Sequence, residues 1–258
     1  MRLMKRILSA AAVLALSASL LVGCSSGTAS SVPVSASSAA ESTVSSVEET
    51  ASSAVDENVA AAAQLLNDLT GSYQELWPVI LADEYKQTWL DDCTALVGEE
   101  NAEAAFEKLS SMVTSDVYGE DAVEAYANGG GAYFCGFTNS LATLTFDGET
   151  STISGTDKDG NVLFSHTYHY IGMEPVRGLY EFESDDADSG EFTYFFLAPD
   201  TSAETYHIEF RYGSDAEALS QYDAGEYAYW VASGIATDCD QTMIDNCIEL
   251  FCTENLAG

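Results

Sequence analysis

The segment 203–213, which reads Ala-Glu-Thr-Tyr-His-Ile-Glu-Phe-Arg-Tyr-Gly, carries the side chains best suited to chemistry in this sequence. Aromatic and β-branched residues alternate with polar ones, which predicts a strand over 205–212 with one apolar and one polar face. His207 lies on the polar face between Thr205 and Glu209. An imidazole beside a carboxylate is typical of a metal site, although zinc needs three or four convergent ligands. The same pattern also fits a strand histidine with a structural role.

The chain contains two more histidines, His166 and His169, on a predicted strand over 162–171. Residues three apart on a strand point to opposite faces, so at most one of these side chains can enter a barrel. If this strand lies across the barrel mouth from the first segment, either histidine could complete the metal site. Ordinary strand histidines are the alternative. The candidate ligands are His207, Glu209, His169, His166 and Asp200.

The N-terminus predicts export and lipidation. Basic residues precede an apolar run over 7–22, and small residues follow it before Cys24, which is the pattern of a bacterial lipoprotein signal peptide over 1–23. Residues 24–54 are rich in Ser and Ala and predict a flexible linker that begins at the lipidated Cys24. We therefore expect a domain at the outer face of the cytoplasmic membrane or at the cell surface, attached to the membrane only through this lipid anchor.

The charge balance limits the partners of the chain. It has 8 Lys and Arg against 42 Asp and Glu, and its formal net charge is −34. A surface of this kind repels nucleic acid and anionic lipid, so both are excluded as partners. The predicted folded domain, 55–258, contains no G-x-S-x-G, H-E-x-x-H or phosphate-binding glycine loop, which argues against an enzyme.

Five cysteines follow Cys24, and an odd number allows at most two disulfides within the chain. No C-x-x-C pair occurs, which argues against a thiolate zinc site or a thioredoxin-like motif. A disulfide between the C-terminal helix and the rest of the domain is one possibility, and five reduced thiols that act as small apolar residues are the other. The five are Cys93, Cys135, Cys239, Cys247 and Cys252.

Hydrophobic periodicity divides the folded domain, 55–258, into three parts. Helical spacing predicts helices within 55–128 and a final amphipathic helix over 240–251, inside a C-terminal helical part, 214–258. Short aromatic and β-branched segments separated by turn residues predict an antiparallel barrel over 131–213. The predicted strands are 132–137, 141–146, 150–155, 162–171, 178–182, 191–197 and 205–212. The fold class is mainly β, with flanking N-terminal helices and a C-terminal helix.

Five segments in order resemble the ZinT (YodA) family. They are Gly71-Ser-Tyr-Gln-Glu-Leu-Trp-Pro, Tyr168-His-Tyr-Ile-Gly, Val176-Arg-Gly-Leu-Tyr-Glu-Phe-Glu, Ala198-Pro199 leading to 202–210, and Ser214-Asp-Ala-Glu-Ala-Leu. The resemblance covers 71–251 and implies a lipocalin-like (calycin) barrel. It also implies binding of zinc or cadmium outside the cytoplasm, in support of a zinc ABC importer and its solute-binding protein.

The resemblance also implies three histidine ligands, and this chain keeps only one of them. His207 matches the second histidine of a His-x-His pair, whereas Thr205 replaces the first. The third position falls near Phe195 or Phe196, whose side chains cannot coordinate a metal. The site is therefore degenerate, and the oxygen ligands that remain favour harder ions such as Ca²⁺ or Mg²⁺.

Three functions remain open at this point, of which the third is an acidic cell-surface interaction module that binds no small ligand. The first is a metal-binding lipoprotein of the zinc or cadmium type with an altered site. The second is a metal-free calycin barrel that binds a small apolar ligand through its tyrosine-rich interior, or a protein partner at the cell surface.

Overall fold

The computed structural model of the protein describes residues 57–257. The predicted signal peptide 1–23, the linker 24–54 and the lipidation site Cys24 lie outside the described residues. Within the described range, no helix combines the length and apolar character that a membrane crossing requires.

Eight antiparallel strands form a closed barrel in which each strand pairs with the next along the chain and the last pairs with the first. Closure satisfies the backbone groups that an open sheet would leave at its edges. The predicted fold class, a lipocalin-like (calycin) antiparallel barrel with flanking helices, is confirmed. The strands are β1 Gly71–Glu75, β2 Thr143–Asp147, β3 Thr152–Thr156, β4 Val162–Met173, β5 Tyr180–Ser184, β6 Tyr194–Leu197, β7 Ile208–Gly213 and β8 Ala232–Ala236.

Helices surround this barrel, and most lie before β2 or after β8. The C-terminal helix begins behind Asp240, whose carboxylate accepts a hydrogen bond from the Met243 backbone N–H at 2.9 Å. Short 3₁₀ turns occur at Asp83–Tyr85 and Gly190–Phe192. The helices are α1 (57–68), α2 Leu76–Ile80, α3 Lys86–Val97, α4 Glu99–Ser111, α5 Glu120–Ala125, α6 Ser202–Thr205, α7 Ala216–Leu219 and α8 Gln241–Leu256.

The barrel extends beyond the predicted range of 131–213, because its closing strand β8 lies in the part predicted to be helical, 214–258. The β8 sequence Ala-Ser-Gly-Ile-Ala consists mostly of small residues with low strand propensity, so it gives no strand signal. Small residues are needed there because the strand is packed closely. A Cβ atom on Gly234 would lie 3.1 Å from Ile208 Cγ1 and 3.3 Å from the Tyr73 Cβ.

The first strand also falls outside the predicted barrel, in the part predicted to be helical, 55–128. The aromatic residues and Pro78 of 71–80 fit either a strand or a buried turn. The structure places β1 over its first half and the single-turn helix α2 over its second half. Pro78 is tolerated in α2 because it lies in the first helical turn, where its missing N–H has no intrahelical partner.

The predicted strand 132–137 is absent from the barrel. Only isolated bridges form there, from Phe134 to Thr114 and to Trp230. The backbone groups of this segment are satisfied elsewhere, because the Phe134 N–H donates to the Tyr229 carbonyl at 2.9 Å. The Phe137 N–H donates to the Glu75 carboxylate at 2.6 Å. The segment therefore packs across the barrel instead of joining it.

Aromatic side chains fill the barrel interior. The rings of Phe195 and Tyr212 stack with centroids 5.4 Å apart, and Tyr212 meets Trp230 edge to face at 5.0 Å. The buried Tyr212 hydroxyl donates to the Thr138 carbonyl at 3.0 Å and accepts from the Thr138 backbone N–H at 2.6 Å. One expectation from the sequence was that the barrel interior binds a small apolar ligand. The side chains of the protein itself fill this space.

A second buried cluster lies outside the barrel, where α2, α3, α4 and α8 pack against one another and against β8. Trp89 is at its centre, fully buried. This cluster holds the C-terminal helix against the rest of the domain.

Candidate metal-binding site

The chain enters β7 through a sharp turn that places His207 just before the strand. The predicted strand 205–212 is therefore too long at its start, since residues 202–205 form α6 and β7 begins at Ile208. Tyr206 adopts a left-handed backbone with φ of 65°, and its N–H donates to the Ser202 carbonyl at 2.7 Å. A left-handed tyrosine costs free energy, so the surrounding contacts must hold this turn in place.

One ring nitrogen of His207 is fixed by the backbone. Nδ1 lies 2.7 Å from the Thr205 carbonyl oxygen, and because a carbonyl can only accept, Nδ1 carries the hydrogen. The other nitrogen, Nε2, lies 3.9 Å from Glu209 Oε1. The His207 side chain is 20% exposed and that of Glu209 is 50% exposed. A histidine whose Nδ1–H is held by a carbonyl presents Nε2 to a proton or a metal.

The charges around His207 favour its protonated form. Burial lowers the pKa of His207, but the neighbouring Cys247 sulfur and the Glu209 carboxylate raise it by more, and the pKa is well above its usual value. Burial raises the pKa of Glu209, whereas the nearby positive charges of His207 and Arg177 lower it below the usual range. The His207 imidazole and the Glu209 carboxylate therefore favour each other's charged forms.

Two residues of α8 that the sequence analysis did not assign to the site belong to its surroundings. Cys247 contributes a sulfur close enough to influence His207. Burial raises the pKa of Glu254, His207 lowers it, and Glu209 and Asp200 raise it further. Residues 247 and 254 are seven apart, which puts them on one face of the helix. That spacing is the only sequence signal that links them, and it does not show which strand the face covers.

Of the predicted ligands, the structure therefore brings His207 and Glu209 together, and Asp200 lies close enough to Glu254 to raise its pKa. It does not bring His166 or His169 to them, because β4 is separated from β7 by two intervening strands. His166 Nδ1 lies 2.7 Å from Asp186 Oδ2, and its side chain is 17% exposed.

The other histidine of β4 has its own acidic partner. His169 Nδ1 lies 2.7 Å from Asp185 Oδ1, and the side chain is 52% exposed. The difference in exposure from His166 agrees with the expectation that the two side chains point to opposite faces of the strand.

Among residues 57–257, no group of three or more His, Cys, Asp or Glu side chains is arranged so that it could hold a metal ion. The His207 neighbourhood therefore does not form a complete metal site in this arrangement. Its donors are an imidazole nitrogen, carboxylate oxygens and a thiol, which are the ligand types that zinc accepts. Assembly requires side-chain movement around Nε2.

A separate apolar pocket opens on the outside of the barrel, between α2 and the segment that follows α4. Its volume is about 300 Å³. Trp77 contributes to the wall, and its indole Nε1 is buried without a hydrogen-bond partner. The pocket is lined by Glu75, Trp77, Pro78, Leu81, Val113, Thr114, Ser115, Phe134, Cys135 and Gly136.

Comparison with known proteins yields no matching family model and no matching curated protein. Solved structures are similar. The Zn(II)-bound ZinT-like domain of Streptococcus pneumoniae AdcA is 15% identical, with a TM-score of 0.45 over 72% of this chain and 89% of that one. Zn(II)-bound AdcA from the same organism is 15% identical, with a TM-score of 0.42. That match covers 70% of this chain and 34% of the AdcA chain, so this chain spans about a third of the length of AdcA. Both of these structures contain Zn(II), and that zinc belongs to those proteins.

Proposed function

We propose that this chain is an extracytoplasmic, lipid-anchored domain that binds a zinc-type divalent metal ion at His207 and supports zinc recruitment or uptake. The proposal rests on the contacts that the two ring nitrogens of His207 make. Its Nδ1 is held by the Thr205 carbonyl, and its Nε2 faces the Glu209 carboxylate at 3.9 Å. The predicted partner is the solute-binding protein of a zinc ABC importer, which the ZinT resemblance supports.

The separation of the two donors suits a shared metal ion. Two ligands about 2.0 Å from a tetrahedral zinc ion are themselves roughly 3.3 Å apart. His207 Nε2 and Glu209 Oε1 are only slightly farther apart than this, at 3.9 Å. A small rotation of the half-exposed Glu209 side chain would therefore allow both to reach one ion, and Cys247 would supply a thiolate as the third protein ligand.

The metal has to displace a proton. Because the pKa of His207 is well above its usual value, Nε2 is protonated at neutral pH. Metal ligands must be deprotonated, so binding releases protons and strengthens as the pH rises through this pKa. We expect this competition, together with the two missing histidines, to make the site weaker than one with three imidazole ligands.

Calorimetric titration of the full chain with zinc tests the proposal. We expect a dissociation constant on the order of 1 μM at pH 8 and weaker binding at pH 6. His207→Ala should weaken binding at least tenfold, since it removes the one fixed nitrogen donor. Cadmium in place of zinc should give the ultraviolet charge-transfer band of a metal thiolate, and Cys247→Ala should abolish that band.

His169→Ala is the matched control, because His169 also has an acidic neighbour, with a carboxylate at 2.7 Å, but lies on β4. It should leave zinc affinity unchanged. Equal losses in the two histidine variants would mean that zinc binds diffusely to the acidic surface. Undiminished binding in His207→Ala would contradict the assignment of this site.

The apolar pocket favours a second candidate function, which is binding of a small apolar ligand outside the filled barrel. We expect the neutral dye Nile red to bind there with increased fluorescence, since the pocket encloses about 300 Å³ and its lining is mostly apolar. Leu81→Glu should suppress the signal by placing a charge in the wall. Leu96→Glu is the control, because Leu96 is already exposed on α3 and does not line the pocket. Equal signals in both variants would exclude this candidate.

A further inference from the structure

Two cysteines lie side by side where the C-terminal helix packs on α3. Cys93 of α3 and Cys252 of α8 are both fully buried, and their sulfur atoms are 3.9 Å apart. They are 159 residues apart in the sequence, so this approach is created by the tertiary packing of the two helices.

We propose that Cys93 and Cys252 are the sites of a disulfide bond that joins α3 to α8. A disulfide requires sulfur atoms about 2.05 Å apart. The 3.9 Å separation of the reduced sulfurs can be closed largely by rotation of the two short side chains, since the helices already hold them in contact.

The other three cysteines of the described part have different surroundings. The Cys135 thiol contacts the Tyr133 carbonyl at 3.9 Å. Cys247 lies beside His207, and Cys239 is partly exposed just before α8. Cys93 and Cys252 are therefore the pair whose packing suits a disulfide bond. This disulfide proposal goes beyond the metal-binding proposal and does not depend on it.

The bond forms by thiol–disulfide exchange with an external disulfide, which is the oxidant. The thiolate of one cysteine attacks the external disulfide and forms a mixed disulfide, and the first external thiol leaves. The second cysteine then attacks the mixed disulfide, and the second external thiol leaves. Two protons and two electrons pass from Cys93 and Cys252 to the oxidant, which is reduced to two thiols.

Burial makes both thiols unreactive while α8 is docked. Burial raises the pKa of Cys93, and burial with the neighbouring thiol and Asp92 raises that of Cys252, so neither forms a thiolate readily in the folded domain. We therefore expect exchange to occur during folding or through local opening of α8, before the helix packs on α3.

Peptide mapping tests the pairing. The full chain, refolded with glutathione disulfide, is treated with N-ethylmaleimide and cleaved after glutamates. The sequence then releases Cys93 in 85–99 and Cys252 in 250–254, each as the only cysteine of its peptide. We expect these two peptides to be recovered as one cross-linked species that separates on reduction. Cys135→Ala should retain it and Cys93→Ala should lose it.

Stability provides a second readout. A cross-link between distant positions restricts the unfolded chain, so we expect the oxidised protein to melt about 10 °C above the reduced one. The difference should persist in Cys135→Ala and vanish in Cys93→Ala. The proposal would be overturned if both peptides were recovered in alkylated form or only as glutathione adducts. A cross-link through peptide 227–249, which contains Cys239 and Cys247, would also overturn it.

Discussion

Replacement of Arg211 by methionine is expected to lower the free energy of unfolding by about 3 kcal/mol. Arg211 lies in β7 and is fully buried. Its two terminal nitrogens donate to three backbone carbonyls, those of Leu219, Gln221 and Tyr227, and the bonds to Gln221 measure 3.2 Å. The guanidinium thus fastens the segment after α7 to the barrel wall.

The loss is large because methionine fills much of the volume but donates no hydrogen bond. Three buried carbonyls would remain without this partner, and each unsatisfied group costs about 1–3 kcal/mol. The cost of burying the charge offsets part of this. Burial lowers the pKa of Arg211 to about 10, against the raising effect of Tyr222, so the group is still charged at neutral pH. Its carbon Cζ lies 4.4 Å from the centre of the Tyr222 ring.

Arg177→Met is the matched control, measured beside Arg211→Met by urea unfolding followed with circular dichroism. Arg177 also stacks on Tyr222, at 4.1 Å, and its Nη2 donates to the Tyr133 hydroxyl at 3.2 Å. It is only partly buried, so its loss should cost about 1 kcal/mol or less. Similar costs for the two variants would show that stacking on Tyr222, and not the carbonyl bonds of Arg211, supplies the stability.

The sequence predicts the parts of the barrel whose strands alternate between large apolar and polar residues. β4 and β7 were recognised because residues such as Phe164, Tyr168 and Phe210 recur on one face and fill the interior. β8 was not predicted because it lacks this alternation of large apolar and polar residues. A Cβ at Gly234 would crowd Ile208 and Tyr73, and a strand of such small residues carries no propensity signal.

The candidate site likewise contains residues that the sequence predicts and a residue that it does not. His207 and Glu209 were predicted together because they are two residues apart, and the structure keeps them adjacent. Cys247 could not be predicted, because its position depends on how α8 packs against the start of β7, which no local pattern encodes. The contact between Cys93 and Cys252 depends on the same packing, so the cysteine count predicts that a disulfide is possible but does not identify its two partners.

Trp89→Ala is expected to lower the free energy of unfolding by about 4 kcal/mol. Trp89 is fully buried in α3, and its ring centre lies 5.7 Å from that of Phe106 and 5.9 Å from that of Phe251. Its indole Nε1 donates to the Ile80 carbonyl at 2.7 Å. The truncation therefore opens a cavity between α4 and α8 and also leaves the Ile80 carbonyl without its donor, and such effects add when the surrounding helices cannot collapse into the space.

Two further variants, measured by the same urea unfolding, separate these contributions. Trp89→Phe keeps an aromatic ring but loses the indole N–H, so we expect a cost of about 1–2 kcal/mol. Leu96→Ala changes an exposed residue of the same helix and should cost less than about 1 kcal/mol. If Trp89→Ala cost no more than Leu96→Ala, the helical layer would contribute little to stability, and the barrel with its aromatic interior would have to fold independently of α8. The order of the three losses in unfolding free energy therefore shows whether the packing of α8, which carries Cys247 and Cys252, contributes to the stability of the domain.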